Sequence, residues 1–249
     1  MKRGKGAHQP TARGSTRIPG RPPLAGSSAD TIRGAVLITV ACVLRSGGRY
    51  SAEWVAKLQR GVERHLTSPH RFLCLSDVDV PCERIPLETD WPGWWSKLEM
   101  FRPDLLTGPT LYLDLDTVIV GSLDAIAAHP HTFTMAHEYH QPHLLCSTAI
   151  AWTGDHSHIW HTMHLMSDER RARYDKWEGQ RIGDQAFIED CMDGRHVDTF
   201  RDLFGDRSIA SWKVHCRDGL NGDEAAVAFH GSRKMSDLLH IDWIKENWI

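Results

Sequence analysis

No apolar run in this sequence approaches the roughly 18 residues needed to span a bilayer, so no membrane-crossing helix is expected. The first residues carry positive charge but no apolar core of a leader peptide, and read as no secretory signal. There is no C-x-x-C. The six cysteines (Cys42, Cys74, Cys82, Cys146, Cys191 and Cys216) are scattered, several within apolar stretches where a thiol packs as a small hydrophobe. That pattern predicts neither disulfides nor a cysteine zinc site, and fits a reducing, cytoplasmic setting. Neither G-x-G-x-x-G nor G-x-x-x-x-G-K-[ST] is present, which leaves the dinucleotide and P-loop readings poorly supported. No internal repeat is visible. An excess of positive charge is also missing: 29 basic against 32 acidic residues give a net charge of -3, so the whole chain is no nucleic-acid binder by electrostatics.

The charge is nonetheless uneven. Residues 1–33 hold Lys2, Arg3, Lys5, Arg13, Arg17, Arg21 and Arg33 against Asp30 alone, a local +6 that leaves -9 for the rest. This stretch is Gly, Pro, Ser, Thr and Arg with almost no apolar content, and is expected to be a disordered basic tail. The remaining residues, 34–249, are long enough for a single domain with a real core.

Order is expected from Ala35 to Leu44, a continuous apolar run that reads as a buried strand. A turn follows over Arg45–Arg49. Ser51 then caps a helix whose Trp54, Val55, Leu58, Val62 and Leu66 fall at helical spacing. Arg71–Ser76 is a second strand, which completes a βαβ unit and predicts a mostly parallel sheet. Glu83–Leu87 suggests an edge strand, and Trp95, Leu98, Phe101 and Leu105 suggest a helix from about Trp94. The region 129–143, with five histidines, reads as loop. Leu144–Trp152 reads as a strand. A helix follows in which His161 and His164 lie one turn apart, a spacing open to zinc but more often merely exposed. Gly183–Met192 predicts a helix capped by Asp184, Ser208–Val214 a late strand, and Ala225–His230 a last one.

The chemistry concentrates in Leu111–Val120, an apolar run interrupted by Asp114 and Asp116. On one regular strand both carboxylates would share a face. A buried pair of like charges needs positive compensation, and a hard divalent ion such as Mn²⁺ or Mg²⁺ supplies it. The last strand ends at His230, where the imidazole is a candidate ligand, Gly231 permits close backbone approach and Lys234 brings charge. Lys97, flanked by apolar residues, is a candidate phosphate or sugar contact.

In order, these pieces resemble the GT-A fold of retaining glycosyltransferases, the glycogenin and lipopolysaccharide galactosyltransferase type of glycosyltransferase family 8. Leu111-Tyr112-Leu113-Asp114-Leu115-Asp116 resembles its L-Y-L-D-x-D signature, Lys97-Leu98 its preceding K-L, and Asp184-Gln185 its D-Q. Phe229-His230-Gly231-Ser232-Arg233-Lys234 resembles its H-x-x-G-x-x-K-P-W ending, although Gly231 follows the histidine directly and no Pro-Trp follows Lys234.

The resemblance implies a Rossmann-like α/β domain with a central sheet flanked by helices, and hexosyl transfer from a nucleoside-diphosphate sugar, UDP by analogy. The acceptor would be a hydroxyl of a glycan, a lipid-linked glycan or another molecule. It further implies that Asp114, Asp116 and His230 hold Mn²⁺ or Mg²⁺ and that Lys234 neutralises the leaving diphosphate. Thr39 and Val40 would lie beside the nucleobase, Lys97 would touch the donor, Ser147 and Thr148 would stand near the sugar, and Asp184 and Gln185 would face its reactive side. Two other readings remain: a haloacid-dehalogenase-type phosphatase, whose D-x-D-x-[TV] also fits Asp114–Val118, and a carbohydrate-binding module of the same fold without turnover.

Overall fold

The structure is a computed structural model that describes residues 31–32, 35–176 and 181–249. The expected tail therefore lies almost wholly outside the described residues. Its last described part, β1 (Thr31–Ile32), pairs antiparallel with β2 (Ala35–Val36).

From there the chain runs β3 (Ile38–Leu44), α1 (Ala52–His65), β4 (His70–Ser76), β5 (Glu83–Pro86), a succession of 3-10 turns over Gly93–Phe101, then β6 (Thr110–Leu113) and β7 (Thr117–Ile119). It continues through α2 (Asp124–Ala128), β8 (Phe133–His137), β9 (Leu145–Trp152), α3 (Ser157–His164), α4 (Asp168–Tyr174) and α5 (Gly183–Cys191). The last part comprises β10 (Asp198–Thr199), α6 (Phe200–Phe204), β11 (Ile209–Ser211), α7 (Trp212–His215), β12 (Ala226–Ala228) and α8 (Asp242–Asn247). Seven strands form one sheet in the order β10-β8-β9-β6-β3-β4-β5, and only β9 runs against the others. The expected mostly parallel α/β sheet is what forms. A second sheet, β11-β12-β7, lies beside it.

The continuous apolar runs follow from burial on both faces of the central sheet. Val40, Cys42 and Leu44 of β3, with Leu111 and Leu113 of β6, pack into a core with α1 and the small sheet. Ala41 and Tyr112, from the same two strands, enter a second core with Leu98, Phe101, Ile159 and Phe187. The 3-10 segment is buried at every position from Trp95 to Phe101, so it has no solvent face on which an α-helical periodicity could be read. Strand β8 falls inside the stretch expected to be loop. All five of its residues are buried, so no alternation marks it, and the flanking histidines make it look polar. The expected late strand stops at Ser211, whose hydroxyl caps α7 by accepting from Val214 N.

The decisive departure is at Leu111–Val120. It is not one strand. The chain leaves the central sheet after Leu113, turns through Leu115–Asp116, and enters the small sheet as β7. Val120 N and Gly121 N both donate to Ala225 O, at 2.9 and 3.1 Å, and tie this crossover to β12. Gly121 is required there because a Cβ would collide with the carbonyl oxygen of Glu224. Gly121→Ala should force the two strands apart and lower stability by about 1–3 kcal/mol, measured by urea denaturation.

Candidate functional site

The crossover places Asp114 and Asp116 at the carboxyl end of β6, the end at which open α/β sheets bind ligands. Because the strand breaks between them, the two carboxylates do not share a face. Asp114 turns toward the core under the 3-10 segment and α5. There Lys97 Nζ lies 2.9 Å from its Oδ1, and the Tyr112 hydroxyl donates to the same oxygen at 2.5 Å. Asp116 turns toward the small sheet. It accepts from the Tyr50 hydroxyl at 2.9 Å and forms an ion pair with Lys234. Its backbone carbonyl accepts from Phe229 N at 2.8 Å, which anchors the strand end that carries His230.

Lys97 is the hub of the first half. Only 6% of it is exposed. Its ammonium also lies 2.8 Å from Asp184 Oδ2 and donates to Ser147 Oγ at 2.9 Å. Ser147 Oγ in turn donates to Asp184 Oδ2 at 2.6 Å. Asp184 is thus not the helix cap; Ile182 holds that position, and the carboxylate is drawn inward instead. Burial opposes the charge on Lys97, but Asp114 and Asp184 together outweigh it and raise its pKa.

The second half is centred on Lys234. It is equally buried, and besides Asp116 its ammonium donates to Phe229 O at 2.6 Å. The backbone N–H of Lys234 donates to Asp237 Oδ2 at 3.0 Å, and Arg49 holds the same segment through Ser232 O and Asp237.

Three carboxylates (Asp114, Asp116 and Asp184) face two ammonium groups. The imbalance shows in Asp114. Burial pushes its pKa up, Lys97 pulls it down, and the neighbouring charges of Asp116 and Asp184 push it up again, to about 6. A further positive charge at this point would relieve that strain. Carboxylate oxygens are the donor type a divalent cation takes, but here Lys97 and Lys234 already occupy those of Asp114 and Asp116.

His230 is placed differently from expectation. Its Nε2 lies 2.7 Å from Ser211 Oγ, and its ring stacks on Tyr139 with centroids 5.2 Å apart and planes 12° apart. Among the described residues no group of three His, Cys, Asp or Glu side chains could hold a metal ion, so the expected Asp114–Asp116–His230 cluster does not converge in this arrangement. The same holds for His161 and His164, the latter stacked on Trp160. Burial, and then Lys213 nearby, lower the pKa of His230 to about 4, so its imidazole is neutral at pH 7.

Other expected residues divide. Lys97, Ser147 and Asp184 meet directly. Thr148 is adjacent: its carbonyl accepts from Asp114 N at 2.9 Å, and its hydroxyl accepts from Cys146 Sγ at 3.4 Å. Gln185 is half-buried on the first turn of α5. Gly231 has φ +83° and sits against Lys213, which a Cβ would strike.

Thr39 and Val40 are not brought to the site. They are the second and third residues of β3, in register with Thr110 and Leu111 at the far end of β6, and Thr39 is held there by Arg71. The carboxyl end of β3 is Leu44, so the turn 45–49 and Asp77, which binds Ser46 N and Oγ, lie on the ligand side. Tyr50, Tyr112, Ser211 and Tyr139 are contributors not singled out from the sequence. Only Tyr112, two residues before Asp114 on the same strand, carried a usable signal.

Two outcomes follow. Lys97→Ala would leave Asp114 and Asp184 buried without compensation and should cost about 3–5 kcal/mol in urea unfolding; the loss should shrink in an Asp184→Asn background, where less charge is stranded. His230 binds its proton more weakly in the folded chain than in the unfolded one. Its contribution to stability is therefore present above about pH 6.5 and is drained as pH falls toward 4. His230→Asn should flatten that part of the stability–pH curve relative to wild type.

No protein-family profile matches this sequence, and no curated protein sequence matches it. Solved structures do. The galactosyltransferase LgtC, crystallised with donor and acceptor sugar analogues, superposes with a TM-score of 0.54 over 85% of this chain and 96% of its own, at 11% identity. The glycosyltransferase GlyE of Streptococcus pneumoniae TIGR4 gives 0.51 over 84% of this chain and 62% of its own, at 11% identity. The bifunctional glycosyltransferase WbbM, in its apo form, gives 0.50 over 88% of this chain and 53% of its own, at 10% identity. The chain thus spans nearly all of LgtC but about three-fifths of GlyE and half of WbbM. What it has in common with all three is the fold of GT-A glycosyltransferases.

Proposed function

We propose that this chain is a glycosyltransferase that moves a hexose from a nucleoside-diphosphate sugar, UDP-linked by analogy, to a hydroxyl acceptor with retention of anomeric configuration. The observation that carries the reading is the double cluster at the carboxyl end of β6: Lys97 bridging Asp114 and Asp184 on one side of the crossover, and Lys234 on Asp116 on the other.

In this reading the nucleotide lies over the turn 45–49, and its diphosphate reaches the Asp116–Lys234 side. Lys234 exchanges part of its contact with Asp116 for the phosphate oxygens, where its charge stabilises the departing diphosphate. Asp114 and Asp116, with His230 beyond the last strand, would hold a Mn²⁺ or Mg²⁺ ion only after a rearrangement that frees them from Lys97, Lys234 and Ser211; such an ion would supply charge to neutralise the same phosphates. Asp184 and Gln185 face the transferred sugar. Lys97 and Ser147 hold Asp184 as a rigid carboxylate beside the anomeric carbon, able to offset positive charge that develops there. The C1–O bond to the diphosphate breaks, a C1–O bond to the acceptor forms, and the acceptor hydroxyl proton passes to the departing diphosphate oxygen.

The test is release of UDP from a panel of UDP-hexoses, with and without Mn²⁺, together with thermal shift. A donor that binds only the folded chain must raise its melting temperature. Wild type should bind a UDP-hexose and release UDP slowly in the presence of the metal. Lys234→Ala should slow release by about 10²-fold, and Asp116→Ala should abolish the metal-dependent thermal shift. Release of inorganic phosphate instead of nucleotide would overturn the assignment.

A further inference from the structure

Among the described Phe, Tyr and Trp residues, Trp94 alone has a large exposed surface, at 50% exposure. Its neighbours in the 3-10 segment, Trp95 to Phe101, are all buried, so the segment has no need of Trp94 for its packing. A singly exposed apolar side chain is ordinary by itself; what sets Trp94 apart is its place next to the buried charge cluster.

Its position is specific. The indole lies over Gly183, which has φ +63°, and a Cβ there would come within 2.9 Å of Trp94 Nε1. The close approach of ring to backbone therefore depends on that glycine. Gly183 directly precedes Asp184 and Gln185. Three residues after Trp94, one 3-10 turn on and so on the same side of the segment, comes Lys97 with its bridge to Asp114 and Asp184. No described residue hydrogen-bonds the Trp94 side chain.

The contacts define a sequence of neighbours across the site. Asp116 with Lys234 comes first, then Asp114 with Lys97, then Asp184, and last Gly183 under Trp94. If the diphosphate occupies the first of these and the transferred sugar the middle, the indole borders the next place along, where an acceptor must present its hydroxyl.

From this we infer that Trp94 is a stacking platform for the pyranose ring of a saccharide acceptor, a role that rests on the transferase reading above. The apolar C–H face of a pyranose matches an indole face in size and polarity, while its hydroxyls remain free to reach polar groups, the division of labour that aromatic residues serve in ligand sites. Gly183 is the complement that lets the ring lie flat on the start of α5. Trp94 thereby selects for a sugar acceptor over a small alcohol or a protein hydroxyl.

The test compares wild type, Trp94→Phe and Trp94→Ala. Saccharide binding is read by ligand-detected NMR with a panel of methyl hexopyranosides and disaccharides. Donor binding is read separately, by thermal shift with UDP-hexoses and Mn²⁺. Wild type should bind at least one saccharide, Trp94→Phe should weaken it a few-fold, and Trp94→Ala should weaken it at least tenfold, while the donor-induced shift is the same in all three. Where transfer is measurable, the acceptor KM should rise in Trp94→Ala with the donor KM unchanged. Equal saccharide binding in Trp94→Ala, no binding by wild type across the panel, or parallel loss of the donor shift would each overturn the platform. Absence of any donor effect on wild type would instead count against the transferase reading, while the saccharide arm still judges Trp94 directly.

Discussion

Burial of charge governs this molecule. Lys97 is enclosed in the second core, and an ammonium there is tolerable only because two carboxylates and a serine surround it. Each partner comes from a different element: Asp114 from the end of β6, Asp184 from the first turn of α5, Ser147 from β9. The lysine therefore fixes the mutual positions of the central sheet, the 3-10 segment and α5. Asp184 is drawn off its ordinary capping role, and the site has a rigid carboxylate where a loop residue would wander.

The second constraint is the crossover. A chain that must pass from one sheet to another between Leu113 and Thr117 has to expose backbone polar groups, and Asp114 N to Thr148 O and Phe229 N to Asp116 O satisfy two of them. The carboxylates on this turn consequently divide, one toward each core, and each finds its own lysine. Three acids against two ammonium groups leave an electrostatic deficit that surfaces in Asp114, whose carboxyl is pushed up by burial and by the neighbouring charges of Asp116 and Asp184.

Much of the sheet was legible in the sequence because β3, β4 and β9 are buried on both faces and so read as unbroken apolar runs. Strand β8 is just as buried, but its histidine-rich surroundings disguised it. The division of Leu111–Val120 was not legible. No glycine, proline or asparagine marks the turn, and what breaks the strand is distant: β7 pairs with β12, more than a hundred residues later. Thr39 and Val40 were misplaced for a related reason, since the apolar run beginning at Ala35 hides where the strand's carboxyl end falls. Asp114, Asp116, Asp184, Lys97 and Lys234 stood out in the sequence, but the pairing among them was not legible, because it depends on which core each side chain faces. Trp94 carried no sequence signal distinguishing it from nine other tryptophans.

The two halves of the site differ in how far apart along the chain their members stand. Lys97 and Asp114 are joined by a short span that β6 and the 3-10 segment close early, whereas the pairing of Lys234 with Asp116 bridges 118 residues. The entropy of closing a loop grows only slowly with its length, but such a pair can form only after nearly the whole described chain is in place. The half held by Lys234 is thus the last to be assembled, and a chain caught before its final strand docks would possess the bridge from Lys97 to Asp114 and Asp184 while Asp116 still lacked its own ammonium partner.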